Sequence, residues 1–258
     1  IAAIKVNDNK IIKTDILVLA IGHSARDTFR MLYKKGLTII NKPFAIGVRV
    51  ANKQSMINES QYKKFAKYLP PASYKLTYQT KAKRGVYSFC MCPGGYVVNA
   101  SSEKNRLVVN GMSNYERETP IANSAIVVTI SESDYGTSPL AGIKYQEELE
   151  EKAYIAGKGQ IPIQLYKDFK EEKKTTNIDK NNLAIKGDYT LSNLNCFLPK
   201  YISDSIKEAM PFFGTKIKGF DGDDTIMLGL ESRTSSPVRI HSFHLLLFLL
   251  VMKFYFLN

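Results

Sequence analysis

Cysteine and histidine are scarce: the 258-residue sequence holds three of each, and neither set has the spacing of a structural framework. Three thiols cannot build a disulfide scaffold, and an odd count leaves at least one unpaired, so a reducing compartment is expected. That is the cytoplasm, or an organelle interior if a targeting segment was lost with the N-terminus. A structural zinc site takes four ligands, but beyond Cys90 and Cys92 only His23, Cys196 and two histidines near the end remain, at spacings that do not converge. No metal is expected. There is no internal repeat and no basic-then-apolar leader; residues 1–15 instead open as strand, turn and strand without a start methionine, as though the N-terminus were cut. A membrane-spanning helix needs roughly 20 apolar residues. The Leu-rich run 245–252, between His244 and Lys253, is too short and reads as a buried strand, an aggregation-prone tail or foreign sequence.

What is present is ordinary for a folded chain. With 44% hydrophobic and 23% charged residues, the chain can bury one sizeable core or two small ones, which excludes disorder as the main reading. The formal charge of +12 would draw a compact domain towards phosphates, acidic membranes or nucleic acid. Much of the excess is lysine in Lys/Asn/Ile-rich stretches such as 177–182, which suits a solvated surface better than a binding stripe, so nucleic acid is not the expected partner.

Along the chain, Asp8-Asn9 offers a turn between two β-rich runs, and the second becomes continuously apolar over 16–21, the pattern of a buried strand. Gly22 follows at once. Ser24 and Asp27 then have capping-box spacing for a helix carrying Phe29, Leu32 and Tyr33 that Gly36 closes. From Lys42 the texture changes to short β-rich runs at 44–50, 74–79, 85–90, 96–101, 106–110 and 124–130, as in an antiparallel sheet. Helical spacing predicts a helix over 61–69 stopped by Pro70-Pro71, and another over 142–156 ended by Gly157, with Glu148 placed to pair with Lys152. A further helix is predicted over 199–213, bent or ended by Pro211. The charged stretch 168–182 is expected to be an exposed connector that supplies no core.

Strand-glycine-helix alone is a weak signal. Its weight comes from four segments that follow in order: Lys42-Pro-Phe-Ala-Ile-Gly-Val-Arg49, Arg84-Gly-Val-Tyr-Ser-Phe-Cys-Met-Cys-Pro-Gly-Gly-Tyr-Val-Val98, Asn110-Gly-Met-Ser-Asn114 and Glu231-Ser-Arg-Thr-Ser-Ser-Pro-Val-Arg239. Together with residues 15–28 they resemble the FAD-dependent dehydrogenase family whose cap portion is called the FAD-dependent protein C-terminal domain, over about residues 15–240. The resemblance implies an α+β chain: an α/β remnant of a Rossmann-like FAD-binding domain (1–41), an inserted antiparallel sheet-and-helix cap (42–240), and an atypical hydrophobic tail (241–258). It implies FAD as cofactor, an unknown small-molecule substrate, and redox chemistry through the flavin. The family's opening G-x-G-x-x-G and closing Gly/Ala-rich segment are not in this sequence, so these residues supply only part of a flavin site. The alternatives are a non-catalytic basic binding module, or a truncated product without activity.

On that resemblance Gly22 and Ser24 are flavin-contact candidates at a helix N-terminus, with His23 beside them; for Ser24, plain helix capping is the competing reading. Arg233, Ser235, Ser236 and Arg239, with Thr234 between, gather guanidinium and hydroxyl donors suited to an anionic ligand, or else form a surface turn with paired arginines. Cys90 and Cys92 would share a face if the strand continues through Met91, as a redox pair, as substrate-facing thiols or as buried small residues. Arg49 and Arg84 are positional candidates at strand ends, where a charge is ordinarily solvated. No side chain stands out as catalytic acid or base.

Overall fold

The computed structural model describes residues 3–7 and 9–241; residues 1–2, Asp8 and the tail 242–258 lie outside the described residues. The chain runs β1 (Ala3–Val6), β2 (Lys10–Lys13), α1 (Arg26–Lys34), β3 (Ile39–Asn41), β4 (Phe44–Lys53), α2 (Gln54–Tyr62), β5 (Thr77–Gln79), β6 (Gly85–Cys92), β7 (Gly95–Asn99) and β8 (Val109–Ser113). It continues through β9 (Ile121–Ile130), α3 (Glu132–Tyr135), α4 (Ala141–Ala156), β10 (Ile161–Leu165), α5 (Tyr166–Lys170), β11 (Ile185–Lys186), β12 (Tyr189–Leu191), α6 (Lys200–Lys216), β13 (Ile226–Glu231) and β14 (Val238–Ile240). Helices and sheets are mixed through the chain, as the α+β expectation requires.

The centre is β4 paired with β9, antiparallel and in unbroken register from Phe44 opposite Ile130 to Lys53 opposite Ile121. Almost every residue of both strands is buried, so both read as continuous apolar runs rather than as alternation. Around this pair a seven-stranded sheet forms in the order β12-β10-β13-β4-β9-β6-β5; its pairings are antiparallel except β10 with β12. α6 lays Ile202, Ile206, Met210 and Phe213 into the core with the inward residues of β4 and β9. α4 adds Leu149 and Ala153. A three-stranded sheet, β11-β7-β8, borders this body. The chain enters and leaves it side by side, because β3 pairs antiparallel with β14.

Several expectations need correction. Residues 16–21 form no strand: among the described residues none pairs with them, and Ile16 and Val18 are 59% and 42% exposed. Without a neighbouring ladder the run is covered on one side only: Leu17, Leu19 and Ile21 are half-buried, and Ile21 packs against the cluster of Phe29, Ile39, Ile143 and Val238. The helix expected over 61–69 starts earlier, as α2, and passes at Lys63 (φ +51) into a 3-10 turn, Lys63–Tyr68, whose Phe65 and Tyr68 face solvent. The stretch expected to supply no core begins with α5, whose Phe169 is fully buried, and the Thr175 hydroxyl accepts the Leu165 N–H while donating to Asp168. Helix α6 continues through Pro211 to Lys216. Glu148 pairs backwards with Lys144 rather than forwards with Lys152.

Candidate functional site

Gly22 sits where the unpaired apolar segment turns towards α1. Its φ is +69°, in the left-handed region that a side chain disfavours, and a Cβ built there would meet nothing within 4 Å. Main chain is therefore bare and open at this corner. The capping box does not form. Ala25 is the N-cap, Asp27 Oδ1 accepts the N–H of Thr28, and the Ser24 carbonyl accepts the Arg26 N–H at 2.9 Å. The Ser24 hydroxyl instead accepts a hydrogen bond from Arg233 Nη1 at 3.1 Å. A charged donor from the far end of the chain has taken the oxygen that would have capped the helix.

Arg233 is the hub of a buried network. Nε donates to Glu150 Oε1 (3.1 Å), Nη1 to Ser24 and to Ser102 Oγ (2.5 Å), and Nη2 to Glu103 Oε2 (3.1 Å) and Glu150 Oε2 (2.9 Å). A guanidinium has five N–H donors, and here all five face acceptors of this chain. Arg26 reaches the same carboxylates, with Nη2 on Glu150 Oε1 (2.7 Å) and Nη1 on Glu150 Oε2 (2.8 Å) and Glu103 Oε2 (2.6 Å). Ser232 Oγ donates to Glu150 Oε1 at 2.7 Å, and Gln146 joins by accepting from Arg26 and donating to the Ser232 carbonyl. One turn on, Arg30 Nη2 donates to both carboxylate oxygens of Glu147.

The electrostatics follow from this packing. Burial would raise the pKa of Glu150, but hydrogen bonds from Arg26 and Arg233 outweigh it and hold the carboxyl below its usual range. His23 lies half-buried beside the cluster. Burial first, then the Arg233 and Arg26 charges, push its pKa down against a weaker pull from Glu150, which keeps the imidazole neutral near pH 7. Arg26, Glu103 and Glu150 were not legible as site residues. Arg26 and Glu150 stand 124 positions apart, and nothing local marks either as the other's partner.

The other candidates divide. Ser236 Oγ donates to the Val238 carbonyl at 2.8 Å and Thr234 Oγ1 to the Ala45 carbonyl at 3.0 Å, so both hydroxyls fix the returning backbone. Ser235 is partly exposed in the same turn, and Arg239 is exposed on β14 with its Cα opposite Ile40. Cys90 and Cys92 do not share a face. The register between β6 and β9 shifts between Phe89 and Cys92, and Cys90 has φ +46°, so the bulge turns Cys90 outwards and Cys92 inwards. Burial raises the Cys92 pKa, and its Sγ lies 3.4 Å from the Cys90 carbonyl.

Arg49 is not at a strand end. It lies mid-way along β4 and is wholly buried, donating to Glu231 (3.0 Å), the Cys90 carbonyl (3.0 Å), Asn123 (2.8 Å) and Asn110 (2.8 Å). The cluster ties β4, β6, β8, β9 and β13 together. Arg84 forms a two-pronged pair with Asp134 and lies over the Tyr201 ring, 4.3 Å from its centroid. Among the described residues no group of three or more His, Cys, Asp or Glu side chains is placed to hold a metal ion. Nor is any helix of the described residues long and apolar enough to cross a membrane.

The sheet-and-helix body, residues 43–234, is matched by a family model described as FAD-dependent protein, C-terminal domain-like; the Gly22 corner and Arg26 precede the matched stretch. This is a flavoprotein-related domain. The chain belongs to that family, as the extent of the match shows. An uncharacterized protein of Clostridium beijerinckii (strain ATCC 51743 / NCIMB 8052) is similar, 45% identical over 240 residues that cover 91% of this chain and 45% of the relative. The chain thus spans less than half the length of the relative it matches.

Whether these residues suit FAD can be asked of the Gly22 corner. A diphosphate lying against main chain needs a position free of side chain and of packed neighbours, and Gly22 meets both conditions. The nearby cations do not add a free positive charge, because Arg26 and Arg233 are matched by Glu103 and Glu150. The fit is one of shape and exposed backbone.

Proposed function

We propose that this chain carries the inserted domain and one wall of the cofactor site of an FAD-dependent oxidoreductase, a dehydrogenase acting on a small molecule, with Gly22, His23 and Ser24 against the cofactor. The observation that carries this reading is the open, left-handed Gly22, two residues before Ser24, whose hydroxyl accepts a hydrogen bond from Arg233 of the segment returning from the inserted domain. Bound FAD would supply hydride or electron transfer through its ring.

The chain's own contributions are positional. Gly22 lets main chain approach a phosphate without a Cβ between them. The neutral His23 has one ring N–H to donate and one ring nitrogen to accept. Arg233, with every donor engaged, holds the Ser24 hydroxyl in place rather than reaching outwards. Ser235 and the exposed Arg239 are the donors of the returning segment that remain for an anionic group. Cys90, turned out by its bulge, is a candidate for the surface facing substrate.

The test is to purify the full-length protein, add FAD, remove the excess and record the visible spectrum. Retention of one flavin per chain supports the reading. A folded full-length protein that retains none contradicts it.

A further inference from the structure

The Gly22 corner meets the inserted body at β3 and β14 and through an apolar cluster in which Phe29 of α1 packs with Ile39, Ile143 of α4 and Val238, with Ile21 against it. The cluster carries no direction of its own, and the polar link that reaches Ser24 and Arg26 is the ion network. At its centre is Glu150, fully buried on α4, whose two oxygens accept five hydrogen bonds: two from Arg26, two from Arg233 and one from Ser232. Arg26 is the first residue of α1, four positions after Gly22. Arg233 leaves β13 and donates to Ser24.

We propose that Glu150 is the positioning residue of the Gly22–Ser24 corner: through Arg26 it fixes the start of α1, and through Arg233 it fixes the Ser24 hydroxyl. Three segments far apart in sequence, around residues 24–26, 150 and 232–233, are held to one carboxylate. Each guanidinium meets both of its oxygens, so each is fixed in orientation as well as distance. A neutral amide in that place keeps the shape but can no longer act as acceptor for both forks. In such a variant Arg233 is free to turn away from Ser24, and the corner loosens while the sheet is untouched.

As a cofactor-positioning role this rests on the reading of the corner as a flavin contact, but its first test does not. Hydrogen exchange is compared between the full-length protein and its Glu150→Gln variant. The expected result is faster exchange, by about tenfold, at the Arg26 and Phe29 amides, with the amides of β4 and β9 unchanged. Should Glu150→Gln fold poorly, Arg26→Met with Glu150→Leu fills the volume with apolar groups and cuts the same tie. Unchanged exchange at the corner in the variant that folds, or equal acceleration throughout the sheet, overturns the proposal. The second test is a double-mutant cycle on the FAD dissociation constant. Glu150→Gln and Ser24→Ala are each expected to weaken binding about tenfold, and the pair no more than the worse single change. Multiplicative losses would show that Glu150 does not act through Ser24. Absence of FAD binding in the unmodified full-length protein would refute the flavin reading, and the exchange result would still decide the role of Glu150.

Discussion

Arg26 and Glu150 meet as a two-pronged buried pair, Nη2 to Oε1 at 2.7 Å and Nη1 to Oε2 at 2.8 Å, with side chains 1% and 0% exposed. Neither charge has water to fall back on, so each depends on the other and on Arg233. Removing one partner of such a pair leaves an uncompensated buried charge. Glu150→Ala is therefore expected to cost about 3–5 kcal/mol in chemical denaturation. Glu148→Ala, which removes an exposed helix pair with Lys144, should cost no more than about 0.5 kcal/mol. Equal losses for the two would mean that the buried network does not form.

His23 gives the stability a pH dependence. Its folded pKa lies below the ordinary value of 6.5, so the unfolded chain takes up the proton first as pH falls. Stability should decline as pH drops through 6.5 and level off below the folded pKa. Melting temperatures measured through this window should fall less for His23→Gln than for the unmodified protein, and parallel curves would place the imidazole elsewhere. Glu150 acts lower on the scale. With its pKa depressed from 4.5, its contribution is complete above that value and is lost as pH falls towards the folded pKa.

The thiols should separate by the bulge in β6. Cys90 and Cys196 are exposed, whereas Cys92 is buried with its pKa raised by that burial. A thiol reagent added to the native protein should modify two cysteines promptly and the third only on unfolding, as mass spectrometry of the labelled peptides would show. Prompt labelling of Cys92 would mean that the register shift between Phe89 and Cys92 is wrong.

How far the sequence shows all this depends on distance along the chain. Apolar runs located β4 and β9, and helical spacing located α4 and α6, because each pattern lies within a dozen or so residues. β10 and β13 were missed although Gly157-Lys-Gly159 and Asp221-Gly-Asp-Asp224 mark turns just before them, because a strand of five or six residues buried along its whole length shows no alternation to single it out. The Cys90–Cys92 assignment failed because alternation presumes an unbroken ladder, and one irregular position reverses every face beyond it. Residues 16–21 have the composition of a buried strand but no sheet beside them among the described residues, so composition described a preference that nothing there fulfils. At the site, Gly22 and Arg233 could be proposed from motifs. Arg26, Glu103 and Glu150 could not, because a buried ion network is defined only by the fold that assembles it.

The most direct test of the central claim is the FAD dissociation constant of the full-length protein carrying Gly22→Val, set against its thermal stability. A side chain at φ +69° with open space around it should destabilise the fold by only about 1–2 kcal/mol. The same side chain stands where main chain is expected to meet a diphosphate, so affinity should fall by about 100-fold, equivalent to about 3 kcal/mol. A variant that binds FAD as tightly as the unmodified protein would contradict the account.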